Sequence, residues 1–233
     1  VRWEDGWPTI LSGDAAIPYA HRRPALPPQP APAVPTHGNF TVREEFDGPA
    51  LAPYWSLVRT PRETWYDLTS TPGSLTLRAR PEHIGRFAQP SFVGRRQQHH
   101  WATATTAMRY APSKPGDRAG LAAFQNDDSY YLLSVRQSGG RPVVQLEKAA
   151  GRGQGSDPQV VASAPLELAP GAPLHLRIVA HGDRYDFLYG YAPDRWIPLV
   201  QGADGTILST RSSGGFGGSF TGVMLGMYAY TER

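Results

Sequence analysis

From Trp101 onward the chain alternates. Ala102, Ala104, Thr106, Met108 and Tyr110 fall on one face, and Trp101, Thr103, Thr105 and Arg109 on the other. A period of two in small and β-branched residues predicts a half-buried strand. The same reading applies at many places. Phe40, Val42, Glu44 and Phe46 alternate with Thr41, Arg43 and Glu45, and predict a strand from Asn39. Leu75, Leu77 and Ala79 form one face of SLTLRAR, after a turn at Pro72-Gly73. Ala119 to Asn126 and Ser129 to Gln137 predict two antiparallel strands joined at Asn126-Asp127-Asp128. Gly139-Gly140 marks the next turn, before PVVQLEKA. Leu174, Leu176, Ile178 and Ala180 alternate with His175, Arg177 and Val179. His181-Gly182-Asp183 then turns into RYDFLYGY, where Tyr185, Phe187, Tyr189 and Tyr191 line one face. The last strand is Val223 to Tyr230. Short strands with a turn about every 8–12 residues predict a β-sandwich or barrel. There is no long amphipathic helix and no solenoid or propeller repeat period.

Composition sharpens this picture. The chain has 233 residues, 40% hydrophobic and 18% charged, which suits one substantial core or a domain plus a tail. Gly 25 and Pro 23 imply many turns and favour an all-β chain. Pro24, Pro27, Pro28, Pro30, Pro32 and Pro35 make residues 11–38 an extended, semi-rigid linker. Residues 1–10, VRWEDGWPTI, precede it, and the sandwich is expected over 39–233. Cysteine is absent, which excludes disulfides and thiolate metal sites. The net charge is +3, the only lysines are Lys114 and Lys148, and the arginines are scattered. A nucleic-acid binder should show a concentrated basic stripe, so that class is set aside. No apolar run approaches the ~20 residues that span a bilayer, so no membrane role is expected. The chain begins at Val1 rather than Met, so the native N-terminus is expected to be missing, and the compartment, cytoplasmic or secreted, stays open.

A search for chemistry finds little. Glycoside hydrolysis normally needs two facing carboxyl groups. Glu44 and Glu45 are adjacent and would face opposite ways on a strand. Asp127 and Asp128 sit in an expected turn, and all four are expected to be solvated. The histidines, His21, His37, His83, His99, His100, His175 and His181, form no H-x-x-x-H motif. No metal, no cofactor and no catalytic residue is therefore expected in this chain. Two stretches stand out. Arg95, Arg96, Gln97 and Gln98 offer many donors, costly to bury unless each finds a partner. They read either as a polar outer face or as an inter-domain or buried polar network. Ser212 to Gly222, SSGGFGGSFTG, sets Phe216 and Phe220 on a glycine-rich loop. Such rings either plug a neighbouring surface or fold back on the edge of their own core.

Four motifs in order carry a family resemblance: EEFDGPALAPYW, WYDLTSTPGSLTLRARP, PSFVGRRQQH and GSFTGVMLGMYA. The chain resembles the C-terminal domain of family-43 glycoside hydrolases of the β-xylosidase and α-L-arabinofuranosidase type over about residues 39–230. GWP-x-I near the start is similar to the last strand of that family's five-bladed β-propeller catalytic domain; the alternative is an N-terminal strand of the sandwich. The resemblance implies an all-β, antiparallel two-sheet β-sandwich of the concanavalin A-like (jelly-roll) type. It implies as partners an N-terminal β-propeller holding the catalytic carboxylates, a xylo-oligosaccharide or arabinoxylan-type substrate bound through it, and an oligomeric state left open. The family's loop phenylalanine, which helps wall the active-site pocket, matches Phe220. Ser219 replaces a family glycine, and the preceding GGFG makes Phe216 a rival. A second reading is a free-standing carbohydrate-binding module, with Tyr130, Tyr131, Tyr185, Tyr189 and Trp101 as stacking platforms or as core.

Overall fold

The computed structural model describes residues 2–11, 15–20, 22, 25, 27–32, 34–35, 37–150, 157–213 and 222–232. The chain forms two compact units, Val1–Glu44 and Glu45–Arg233. In the first, β1 (Arg2–Glu4) pairs antiparallel with β2 (Trp7–Thr9). The turn uses positive φ at Asp5 and Gly6 (50° and 81°), as a two-residue hairpin turn of the primed type requires. Trp3 and Trp7 are both 73% exposed.

The second unit is a two-sheet antiparallel sandwich. Its strands are β3 (Trp55–Leu57), β4 (Tyr66–Asp67), β5 (Thr76–Leu77), β6 (Ser91–Arg96), β7 (Trp101–Met108), β8 (Arg118–Asn126), β9 (Ser129–Ser138) and β10 (Arg141–Ala150). They continue with β11 (Gln159–Pro165), β12 (Leu174–His181), β13 (Arg184–Ala192), β14 (Arg195–Asp204) and β15 (Met224–Tyr230). The larger sheet has seven strands in the order β11-β10-β9-β8-β15-β6-β3. The smaller has four, β14-β13-β12-β7, and β4 and β5 form a separate ladder.

The core lies between the two sheets. Leu121, Tyr131, Leu133, Val144 and Leu146 of the larger sheet meet Leu176, Ile178, Tyr185 and Phe187 of the smaller. Each such side chain contributes about 1.5–3 kcal/mol on burial. Strand β7 follows its pattern, with Ala102, Ala104, Thr106 and Met108 turned inward. The larger sheet is covered on its outer face as well. There Phe92, Ala122, Phe124, Tyr130, Leu132 and Tyr228 form a second cluster, capped by the fully buried Ile84. The Ile84 N–H donates to the Tyr228 hydroxyl at 3.1 Å and pins the cap. Because both faces are buried, β8 has eight successive buried residues, Arg118 to Gln125.

Three expectations are corrected. Asn39 to Phe46 joins no ladder although exposure alternates along it, and Phe46 has φ of 53°. Asp127 is not solvated: its carboxylate meets the Arg59 guanidinium at 2.6 Å, tying the β3–β4 connection to the β8–β9 turn. Burial outweighs that pairing and pushes the Asp127 carboxyl above its ordinary range. Strands β3, β4, β6, β11 and β14 go beyond those predicted. Two of them, β11 and β14, are edge strands carrying Pro165 and Pro198, residues that edges tolerate and sheet interiors do not.

Gly120 shows how closely the central strands pack. A Cβ added there would lie 2.0 Å from the Leu133 carbonyl oxygen and 2.6 Å from the Ser134 Cα. Both are backbone atoms of β9 and cannot step aside. Gly120→Ala should therefore lower stability by about 1–3 kcal/mol in urea unfolding. An unchanged midpoint would show that the strands are not this tightly held.

The outer-face cap also carries a pH signature. Burial, and then the nearby Arg118 and Arg86, hold the half-buried His83 imidazole down at about 4. The unfolded chain takes up this proton near the ordinary pKa of 6.5, the folded chain only near 4. Stability contributed by neutral His83 is therefore intact above pH 6.5 and lost as the pH falls toward 4. Between pH 7 and pH 4 the native chain should lose about 2–3 kcal/mol more than His83→Gln. Equal losses in the two proteins, read by urea unfolding, would contradict this.

Candidate functional site

Phe216 and Phe220 lie outside the described residues, but both ends of their loop are described. On the entry side, Asp204 ends β14, and its carboxylate accepts from Thr206 N–H at 2.9 Å to start a short 3-10 turn, Gly205–Leu208. Ile207 and Leu208 are buried in the inter-sheet core, and the four-residue helix α1 (Thr210–Ser213) follows. On the exit side, Gly222 and Val223 lead into β15.

The polar run at the end of β6 grips the exit. The Arg96 guanidinium donates to the Gly222 carbonyl, and the Gln97 N–H donates to the Val223 carbonyl at 2.9 Å. Gln97 Oε1 accepts from the Tyr185 hydroxyl at 2.8 Å. The same tyrosine ring lies against Gly205, where an added Cβ would sit 2.6 Å from Tyr185 Cδ2. Tyr185, 3% exposed, therefore meets the entry side directly at Gly205 and the exit side through Gln97. Tyr131 adds a second grip on the entry, donating to the Asp204 carbonyl at 3.1 Å. Burial pushes the Tyr131 hydroxyl up to about 12 and the Tyr185 hydroxyl upward, so both remain protonated donors near neutral pH.

The four predicted polar residues thus fall at one place. Arg95 and Gln97 are half-buried, and Arg96 and Gln98 are exposed. The Arg95 guanidinium stacks over Tyr54 at 4.5 Å and donates to Gln98 Oε1 at 3.2 Å.

A second concentration of polar groups was not foreseen. On the outer face of the larger sheet, Arg118 of β8 donates to both oxygens of Glu147 of β10 at 3.1–3.2 Å. Arg136 of β9 and Gln145 of β10 donate to the same carboxylate, each at 3.2 Å. This pair lines a cavity of about 330 Å³, with His83, Tyr230, Glu232, Pro158 and the exposed Arg86–Asp157 ion pair (2.9 Å) completing the wall. The Arg118 guanidinium lies 5.1 Å from the centre of the Tyr230 ring, and His83 meets that ring edge-on at 5.3 Å. Arg118, Arg136, Glu147 and Tyr230 are far apart in sequence, and the pairing of β8, β9, β10 and β15 brings them together.

Of the aromatic side chains considered as stacking platforms, Tyr130, Tyr131, Tyr185 and Tyr189 are core, at most 7% exposed. Trp101 is 72% exposed, edge-on to His181, on the outer face of the smaller sheet. There His181 meets Asp186 at 3.1 Å, and Arg177 stacks on Trp196 at 3.8 Å. Among the described residues, no three His, Asp or Glu side chains converge as a metal site. Glu147, the most buried carboxylate described here, has its oxygens occupied by two guanidiniums and an amide, an arrangement that fixes structure rather than moves protons.

Comparison with known proteins places this architecture. Residues 43–233 match the family model of the beta-xylosidase C-terminal concanavalin A-like domain. The chain is 30% identical over 230 residues to the non-reducing end alpha-L-arabinofuranosidase BoGH43B of Bacteroides ovatus, covering 98% of this chain and 40% of that protein. It is 33% identical over 135 residues to a xylan 1,3-beta-xylosidase of a Vibrio species, covering 58% of this chain and 24% of that protein. The structure of a xylan beta-1,4-xylosidase from Bacillus halodurans superposes with a TM-score of 0.72 at 25% identity, over 85% of this chain and 38% of that one. The chain thus spans 24 to 40% of the length of these relatives. With its two-sheet sandwich and its motifs in order, it belongs to the family of beta-xylosidase C-terminal concanavalin A-like domains found in family-43 glycoside hydrolases.

Proposed function

We propose that this chain is the accessory domain of a family-43 β-xylosidase or α-L-arabinofuranosidase and walls the pocket of a catalytic β-propeller. In this reading the propeller precedes the sandwich and supplies the reacting carboxyl groups. Water attacks the anomeric carbon with inversion. Residues 1–10, with the β1–β2 hairpin, are the tail end of the propeller, and residues 11–38 are the spacer. The exposed indoles of Trp3 and Trp7 support that assignment, because large apolar groups on a lone hairpin call for a partner surface.

The observation that carries the proposal is that Tyr185 meets the approach to the glycine-rich loop at Gly205 and is joined to its exit through Gln97, whose N–H holds the Val223 carbonyl. A loop fixed at both ends to a rigid sheet can hold an aromatic ring against a neighbouring cleft. Phe220, or Phe216 in its place, supplies that ring. A closed cleft limits how many sugars enter, favours removal of terminal residues from short xylo-oligosaccharides, and holds the terminal ring in register with the attacking water. Arg95, Arg96, Gln97 and Gln98 stand at the loop's exit, and the exposed guanidinium of Arg96 and amide of Gln98 face the partner domain. Planar guanidinium groups at such a face give orientation more than raw affinity.

The test uses the full-length enzyme on xylobiose. Phe220→Ala should lower kcat/KM by at least about tenfold, a loss of about 1.4 kcal/mol in transition-state binding. Arg96→Ala should give a smaller loss together with weaker thermal coupling of the two domains. A loss on Phe216→Ala but not Phe220→Ala would move the role to Phe216. Unchanged kcat/KM in both phenylalanine variants would remove the pocket-wall reading.

A further inference from the structure

We propose that the free edge of the four-stranded sheet, strand β7, pairs with β7 of a second copy of this chain. The two strands run antiparallel about a twofold axis and join the two smaller sheets into one. The proposal does not depend on the pocket-wall reading.

The first argument is protection. A sheet edge recruits other chains unless it is short, charged, bulged or broken by proline. The two sheets of the sandwich end at β11 and β3, and at β14 and β7. Strand β3 has only three residues. Strand β11 carries Pro165, and its register against β10 shifts at Leu146/Glu147. Strand β14 carries Arg195 and Pro198, and its register against β13 shifts repeatedly. Strand β7, WATATTAM, has eight residues with no charge, no proline and no glycine. Its pairing with β12 runs from Trp101 to Met108 without a shift.

The second argument is the set of backbone groups left over. The Gly182 N–H donates to the His100 carbonyl at 2.9 Å, which sets the phase of the β7–β12 ladder. The backbone groups of Ala102, Ala104, Thr106 and Met108 therefore face β12, and those of Trp101, Thr103, Thr105 and Ala107 face away from it. Among the described residues, nothing hydrogen-bonds to that outward backbone set. The side chains of the same residues are exposed on the outer face, Trp101 to 72%.

The third argument is that the strand complements itself. With Ala104 on the twofold axis, Trp101 stands opposite the partner's Ala107 and Thr103 opposite the partner's Thr105. These are the hydrogen-bonded positions of the new ladder, so every outward N–H and C=O of Trp101, Thr103, Thr105 and Ala107 is paired. The largest side chain of the set meets the smallest, and threonine meets threonine, a favourable cross-strand pair. On the inner face Ala104 meets the partner's Ala104, and the axis is free of bulk. No like charges are brought opposite each other, since β7 carries none. One edge and one indole per copy bury less than the ~800 Å² per partner of a standard interface. The dimer is therefore reversible, with Kd on the order of tens of micromolar.

The experiment is sedimentation velocity of the 233-residue chain and of the full-length enzyme across about 1–300 μM, a range that brackets this Kd. Both should move from monomer toward twice the monomer mass as concentration rises. Thr103→Lys puts a charge on the edge, and Thr103→Pro removes an outward N–H that the monomer does not use. Each should weaken the dimer at least about tenfold, with circular dichroism and urea unfolding verifying that both variants are folded. Cross-linking reads the register, since the chain has no cysteine of its own. A mixture of Thr103→Cys and Thr105→Cys chains, treated with oxidised glutathione, should form a disulfide-linked dimer, because the two Cα atoms stand about 5.5 Å apart. Thr103→Cys alone should not, because its two copies are diagonal neighbours beyond the ~7 Å that a disulfide spans. Four results would overturn the proposal: a monomer at every concentration, a dimer indifferent to both folded Thr103 variants, cross-linking by Thr103→Cys alone as efficient as by the mixture, or a dimer of the 233-residue chain that the full-length enzyme does not form. The last would give this edge to the preceding domain.

Discussion

Strands β8, β9 and β10 are buried on both faces, and that constraint decides what the rest of the chain must supply. One face is covered by the four-stranded sheet, the other by the segment between β3 and β6 with Ile84 at its centre. A polar residue on these strands has no water to turn to. Arg118, Arg136, Gln145 and Glu147 therefore meet each other, sharing one carboxylate among three donors. Losing one partner of such a pair strands a buried charge and costs about 3–5 kcal/mol, more than the pair itself adds. The cluster fixes register and shape, and it leaves a polar hollow where the covering segment ends.

The same rigidity reaches the opposite edge. The Tyr185 ring is part of the inter-sheet core, and its hydroxyl reaches Gln97 at the end of β6. Through that bond and the contact with Gly205, both ends of the glycine-rich loop are fixed by the core. The sandwich supplies a stiff frame, and the loop supplies what the frame presents. This division suits a domain whose work is done at a surface, and relatives more than twice its length have room for the chemistry elsewhere.

Much of the fold could be read from the residues. Strand β7 has its inward set where a period of two placed it, and the β8–β9 and β12–β13 hairpins turn where their Asn-Asp and His-Gly-Asp signals stand. Pattern failed where its physical basis failed. The runs AGLAAF and YYLL do not alternate, because both faces of their strands are apolar, yet their length and the turn between them still marked them as strands. Asn39 to Phe46 alternates in exposure without taking a place in either sheet, because period alone does not supply a neighbouring strand. For the site, the importance of the Arg95–Gln98 run was legible, but its grip on Gly222 and Val223 depends on pairing between β6 and β15, 126 residues apart at Arg96 and Gly222. Arg118 and Glu147 gave no signal, since they lie 29 residues apart in sequence and meet only through strand pairing.

The central claim is that this sandwich shapes a reaction performed by another domain. The most direct measurement is hydrolysis of xylobiose by the purified 233-residue chain, set beside the full-length enzyme at equal concentration. The account predicts turnover by the full-length enzyme and none above background by the sandwich chain. Turnover by the chain alone, lost on removal of one of its own carboxylates, would contradict it.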